Sequence, residues 1–459
     1  MVDKFIARIN ELASLNRAWE EPGARLALVW GRRRTGKTRL LGKFVEGKRS
    51  IFYGATQQSS AAELKGFADA TRAALRPAGS DLLALGDFPD WTSALDYIGR
   101  QAAQEPLVVV LDEFPYLAEA EPALPSIIQR FWDQQGRQSN LMLVICGSAH
   151  AVMERLQVER APLFGRLDLR LQLQPFDYRD AALFMPGLKP ADQALAYAVM
   201  GGMPSYLSRW RDDLGYRANL GRLFADPASP LVEEGEFVLS GELPEGSGYF
   251  RIMHAIATGN RTYGAIKRFA DIDIQRQLDR LLRLGLVERE TPVTENPSKT
   301  RRAAYRIGDN FLNFWFRFIY RSRADIGRGL GTPLVEGVIV PGLSDYMGEP
   351  WEQICREFVR RQAAMQQLPC RPTSIGRWWS RDNSVEIDIV GIERKKVVLA
   401  GSAKWSRSAG RDELNRLRRA VEALPNRAPE TTLALFARDK IRDIAPSEAL
   451  AFTAEDLYK

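Results

Sequence analysis

Histidine is scarce in this chain: only His150 and His254 occur in 459 residues. A histidine-rich metal centre or a Ser-His catalytic pair has almost nothing to draw on, and both residues read as structural. The three cysteines, Cys146, Cys355 and Cys370, are odd in number and far apart, which excludes a disulfide framework and a cysteine metal site. No run of 18 apolar residues occurs, and Met1-Val2-Asp3-Lys4 lacks the apolar block of a signal peptide. The expected setting is the cytoplasm, with no membrane partner.

What is present is ordinary globular material, 45% hydrophobic and 26% charged, in a chain too long for one core. A spacing of about 150 residues per domain suggests about three domains. The formal charge is +7, and residues 250–323 alone carry 15 Lys and Arg against 7 Asp and Glu. The whole excess therefore sits in one segment, either as a patch for a polyanion or as a solvated basic face.

The apolar run Leu26-Ala27-Leu28-Val29-Trp30 reads as a strand and is followed by Gly31-Arg32-Arg33-Arg34-Thr35-Gly36-Lys37-Thr38, then by helix-forming residues from Arg39. This is G-x-x-x-x-G-K-[ST] between strand and helix. Its glycines let the backbone curl, so that successive N–H groups and the helix dipole face one anion. Residues 31–39 are the expected nucleotide cradle, with Lys37 on the β- and γ-phosphates and the Thr38 hydroxyl on magnesium. A second apolar run, Leu107 to Leu111, ends in Asp112-Glu113 at the sheet edge where ligands of open α/β folds bind. Asp112 is expected to hold the metal through water and Glu113 to orient the attacking water. A third run, Leu141 to Cys146, ends near Ser148, a candidate γ-phosphate sensor that alternatively caps a helix. Arg166 in Pro162-Leu163-Phe164-Gly165-Arg166 is a candidate arginine finger toward a neighbouring subunit.

Together with Phe5-Ile6-Ala7-Arg8 and Gly201-Gly202-Met203-Pro204-Ser205-Tyr206-Leu207, these motifs resemble the archaeal-type AAA ATPases, of the AAA+/STAND kind. The resemblance covers nearly the whole chain. It implies ATP with Mg2+, a phosphate loop at 31–38, an acidic pair at Asp112 and Glu113, a sensor at Ser148 and a finger at Arg166. The Gly201–Leu207 stretch would lie in a helical lid. The implied fold is α/β: a P-loop NTPase three-layer sandwich at 1–175, a lid at 176–245, a winged helix-turn-helix at 246–325 and a small α/β nuclease-like domain at 326–459. Assembly into a homo-oligomer stays open.

Beyond residue 245 three helical stretches and two short strands, Leu286–Glu290 and Ala304–Ile307, follow the winged-helix plan. Arg276, Arg280 and Arg283 fall at helical spacing on the third helix, and Lys299, Arg301 and Arg302 lie between the strands. Both elements are basic, which favours DNA; docking a protein partner is the competing use. The aromatic run Phe311 to Phe318 reads as core. By resemblance, the end of the chain is a PD-(D/E)xK nuclease-like domain, with Glu352, Asp388 and Lys404 in three of its four site positions. Ser402 stands where a carboxylate is expected. Serine is a poor magnesium ligand, so cleavage is expected to be lost unless Glu386 or Glu413 substitutes.

Overall fold

The computed structural model describes residues 5–76, 86–148, 150–159, 161–241, 243 and 248–459, with the side chains of His150 and Ala151 also undescribed. Met1 to Lys4, most of the loop expected at 77–90 and the connection at 244–247 lie outside these residues. The chain forms two compact units, one of residues up to 175 with 203–205, the other of 176–202 with 206–459. Among the described residues no helix is long and apolar enough to cross a membrane.

The first unit is built on strands β1 (Arg25–Trp30), β2 (Ser50–Gly54), β3 (Leu107–Asp112), β4 (Leu141–Gly147) and β5 (Leu169–Gln172), all parallel, in the order β2-β3-β4-β1-β5. Every residue of β3 and β4 is buried, as sequences without a polar alternation require. Successive side chains enter opposite cores. Ala27, Val29, Val108, Val110, Met142 and Val144 pack with Leu40, Leu41 and Phe44 of the helix Lys37–Val45 and Leu15 of the helix Ile9–Glu20. Leu26, Leu28, Val109, Leu111, Leu143 and Ile145 pack on the other face, with Phe67, Leu95, Ile98, Ile128 and Phe131 from the helices Ser60–Leu75, Trp91–Gln104 and Leu124–Gln134. The result is the three-layer sandwich expected from the sequence. Two of these helices begin where short polar side chains accept backbone N–H groups, Ser59 from Ala62 and Asp90 from Ser93.

In the second unit the helices Gly248–Ala257, Tyr263–Ala270 and Gln275–Arg283 precede an antiparallel hairpin of β6 (Val287–Glu290) and β7 (Ala304–Ile307). Phe311, Phe314, Trp315 and Phe316 are fully buried, so the aromatic run is core. His254 is buried with Nδ1 3.0 Å from the Phe316 carbonyl oxygen, and burial lowers its pKa. The chain ends on a five-stranded sheet ordered β14-β12-β10-β9-β8, where β8 is Ser374–Trp379, β9 Glu386–Glu393, β10 Lys396–Lys404, β12 Arg427–Ala437 and β14 Leu450–Thr453. The remaining strands, β11 (Ser408–Ala409) and β13 (Lys440–Ile441), form a separate short pair. Strands β8, β9 and β10 run antiparallel, while β10, β12 and β14 run parallel. The helix Gly348–Ala364 covers one face through Trp351, Ile354 and Phe358, and Arg411–Val421 covers the other through Leu414, Leu417 and Val421.

Candidate functional site

At the carboxyl end of β1 the chain turns through Gly31, φ 156°, where a Cβ would stand 2.4 Å from the Leu173 carbonyl oxygen. Only glycine fits there. Gly36, φ 88°, caps the helix Lys37–Val45, and Arg34 between them also takes a positive φ of 70°. Lys37 is 5% exposed, and its Nζ donates to the carbonyl oxygens of Gly31 at 3.0 Å and Arg32 at 3.1 Å. Burial lowers its pKa, opposed by the nearby Cys146, Glu113 and Asp112. The ammonium is thus held inside the loop it is to serve, on backbone partners that phosphate oxygens can replace.

Two hydrogen-bonded pairs complete the centre. Thr38 Oγ1 donates to Asp112 Oδ2 at 2.6 Å, joining the first helical turn to the end of β3. Glu113 follows in a left-handed conformation, φ 51°, and its Oε2 accepts from Ser148 Oγ at 2.9 Å and Ser148 N at 3.3 Å. Non-glycine residues held at positive φ cost on the order of 1 kcal/mol or more, and such strain gathers at functional sites. Arg32 is half-buried, and Arg33, Arg34 and Arg39 are exposed around the loop. Thr35 is fully buried and bonds back to Arg32. Arg166 is placed elsewhere: its Nε and Nη2 hold both oxygens of Asp133 at 2.9 and 2.7 Å.

Three residues to which the sequence reading gave no role touch this centre. Arg8, 7% exposed, donates through Nη2 to the carbonyl oxygens of Thr35 at 3.1 Å and Gln174 at 2.6 Å, pinning the phosphate loop from the N-terminal side. Tyr116 accepts from Arg33. Cys146 lies beneath Asp112 and Lys37, its thiol pKa pushed up by burial and then by Asp112. None of the three follows from spacing. The only advance signal was the Phe5–Arg8 motif in the resemblance.

In the second unit Arg276, Arg280, Arg283, Lys299 and Arg301 are exposed, the first three on the helix Gln275–Arg283. Arg302 is turned inward, paired with Glu295 and donating to the Trp379 carbonyl oxygen of β8. The hairpin is tied to that strand again by Val293 N, which donates to Arg377 O at 3.0 Å. Glu290 of β6 faces Arg306 at 3.1 Å, Arg377 at 3.5 Å and Arg356 at 3.9 Å. Burial alone would raise its pKa, but the three guanidinium groups bring it below the usual value.

Arg356 also reaches Glu352 at 3.4 Å and the Asp388 carbonyl oxygen at 3.0 Å. Asp388 Oδ2 accepts from Lys404 Nζ at 3.1 Å, Ala403 N at 2.9 Å and Ser402 Oγ at 3.4 Å, so Asp388, Lys404 and Ser402 meet. Burial, reinforced by Asp388, raises the Glu352 pKa to about 7. Burial lowers that of Lys404, yet Asp388 outweighs it and the net shift is upward. Glu413 bonds Ser402 at 2.6 Å, whereas Glu386 pairs with Arg377 at 3.2 Å. Among the described residues no group of three or more His, Cys, Asp or Glu is gathered to hold a metal. A cavity of about 610 Å³ opens beside Lys404 and Glu413, lined also by Arg411, Arg416 and Arg442.

Residues 5–210 match the family model described as an ATPase domain predominantly from Archaea, and residues 315–416 match one described as Archaea bacterial proteins of unknown function. An uncharacterized protein of Methanocaldococcus jannaschii is 29% identical over 413 residues, 89% of each chain. Among solved structures, the Walker-type ATPase of Pyrococcus abyssi superposes with a TM-score of 0.52 at 16% identity, over 69% of this chain and 97% of its own, a likeness of fold.

Proposed function

Since the chain carries an ATPase domain of the predominantly archaeal family, we propose that it is an ATP-driven switch or motor, which binds ATP at residues 31–39 and couples hydrolysis to a DNA-contacting winged helix. The observation that carries the reading is the junction of the Lys37 loop, the Thr38–Asp112 pair and the Glu113–Ser148 pair at one sheet edge. Thr38 and Asp112 offer two hard oxygen donors 2.6 Å apart, which suit Mg2+. When bound, that ion supplies charge neutralisation on the β- and γ-phosphates. Lys37 exchanges its loop carbonyls for phosphate oxygens. Glu113 orients a water toward the γ-phosphorus and takes its proton. A P–O bond forms from the water as the bond to the β–γ bridging oxygen breaks, and that electron pair leaves on ADP. Ser148 aligns the Glu113 carboxylate through the bond it already makes.

The winged helix would meet duplex phosphates through Arg276, Arg280, Arg283, Lys299 and Arg301. The inward turn of Arg302 favours a second reading for the wing alone, that of a protein-docking element, here engaged by β8 of its own chain. The nuclease-like centre is read as inactive in cleavage: Ser402 supplies no third carboxylate, burial favours the neutral form of Glu352, and Lys404 already pairs with Asp388. A subunit that completes a neighbour's site through Arg166 would have to surrender the Asp133 pair first.

Phosphate release by Lys37→Ala and Glu113→Gln tests the catalytic assignment. Both variants should lose at least about 100-fold in kcat, with Glu113→Gln still binding ATP. Turnover equal to wild type in both would refute the roles given to these residues.

A further inference from the structure

The phosphate-loop cation Arg33 has no task in the scheme above. Arg33 is exposed between the two glycines, while Thr35 and Lys37 beside it are buried. Its Nη2 donates to the phenolic oxygen of Tyr116 at 3.1 Å. Tyr116 lies in the first turn of the helix Phe114–Ala120, which Glu113 caps, and its N–H donates to the Glu113 carbonyl oxygen at 3.0 Å. The guanidinium is therefore parked on the element that carries the water-orienting carboxylate. Its charge also reaches the Lys37 ammonium, whose proton affinity it lowers. Arg166, by contrast, is held through both oxygens of Asp133 within its own chain.

We propose that Arg33 is the arginine that stabilises charge developing on the γ-phosphoryl group, supplied in cis from the phosphate loop and positioned by Tyr116. The assignment rests on the ATPase reading of this site. As the bond to the bridging oxygen breaks, negative charge grows on that oxygen and spreads over the phosphoryl oxygens. A guanidinium carries five N–H groups in a fixed fork, so Nη2 keeps the phenolic oxygen of Tyr116 while the other N–H groups turn to the phosphate oxygens. A cation built into the same chain also means that a single subunit holds a complete site.

The test uses the full chain and compares Arg33→Ala and Arg33→Lys with wild type in ATP turnover and in affinity for ADP and for ADP with aluminium fluoride. Arg33→Ala should lower kcat by about 100-fold or more and weaken the aluminium fluoride complex in step, with ADP affinity changed by less than about threefold. That retained ADP affinity also shows the variant is folded. Lysine, a point charge without the planar fork, should restore only part of the loss. Tyr116→Phe, which removes only the hydroxyl, should weaken the aluminium fluoride complex while sparing ADP, and wild-type kcat per subunit should be unchanged on dilution. Turnover and analogue affinity within about twofold of wild type in Arg33→Ala would remove this assignment and leave the ATPase reading standing, as would a kcat that falls on dilution. Wild-type protein that binds neither ADP nor ATP would overturn both.

Discussion

Gly31 shows how little freedom the nucleotide end of the first sheet has. Its φ of 156° is strained for any side chain, and the Leu173 carbonyl oxygen already occupies the space a methyl group would need. Gly31→Ala should destabilise the first unit by about 1–3 kcal/mol and weaken nucleotide binding at least tenfold; thermal melts with and without ATP would check both, and an unchanged melt would show that the loop can yield. This motif was legible because its chemistry is written in consecutive residues. Arg8 was not, because its value lies in two backbone carbonyls 27 and 166 positions away along the chain. No local pattern distinguishes an arginine that will be buried on such acceptors from one left in water.

Among elements, the strands were easiest to see where they are buried on both faces. Leu107–Asp112 and Leu141–Gly147 stand where their apolar runs placed them. Mixed strands were harder. β8 opens on the exposed Ser374, ahead of the buried Trp378 and Trp379, and β12 opens on the exposed Arg427, well ahead of its buried end at Ala434–Ala437. Their polar residues lie at edges and ends where solvent or the hairpin satisfies them, so periodicity carries little information. The helix Gly348–Ala364 and β9 bring together the expected Glu352 and Asp388, while the insertion of Arg356 between them was invisible in the spacing. The raised pKa of Glu352 has a consequence with a definite sign. The native chain keeps a proton that the unfolded chain releases, so stability falls as pH climbs from about 4.5 through about 7. Glu352→Gln should abolish about 2 kcal/mol of that decline between about pH 5 and about pH 8, measured by urea unfolding at each pH. An identical pH slope in the variant would show that Glu352 is ionised in the fold.

For the molecule as a whole, the question is what the basic segment holds. If the helix Gln275–Arg283 grips duplex phosphates, Arg276→Glu with Arg283→Glu should weaken retention of a DNA probe at least tenfold and lower the salt slope by about 2. Arg302→Ala should chiefly loosen the protein, since that guanidinium serves Glu295 and Trp379. Retention indifferent to salt, or untouched by the double reversal, would leave protein docking as the use of this surface. The seam of Glu290, Arg306, Arg356 and Arg377 then acquires a mechanical meaning. The hairpin beside the basic helix is bonded to the terminal sheet, so a pull on that helix would be handed on through these ion pairs. Glu352 and Asp388, one helical turn and one strand away, would feel that pull through Arg356.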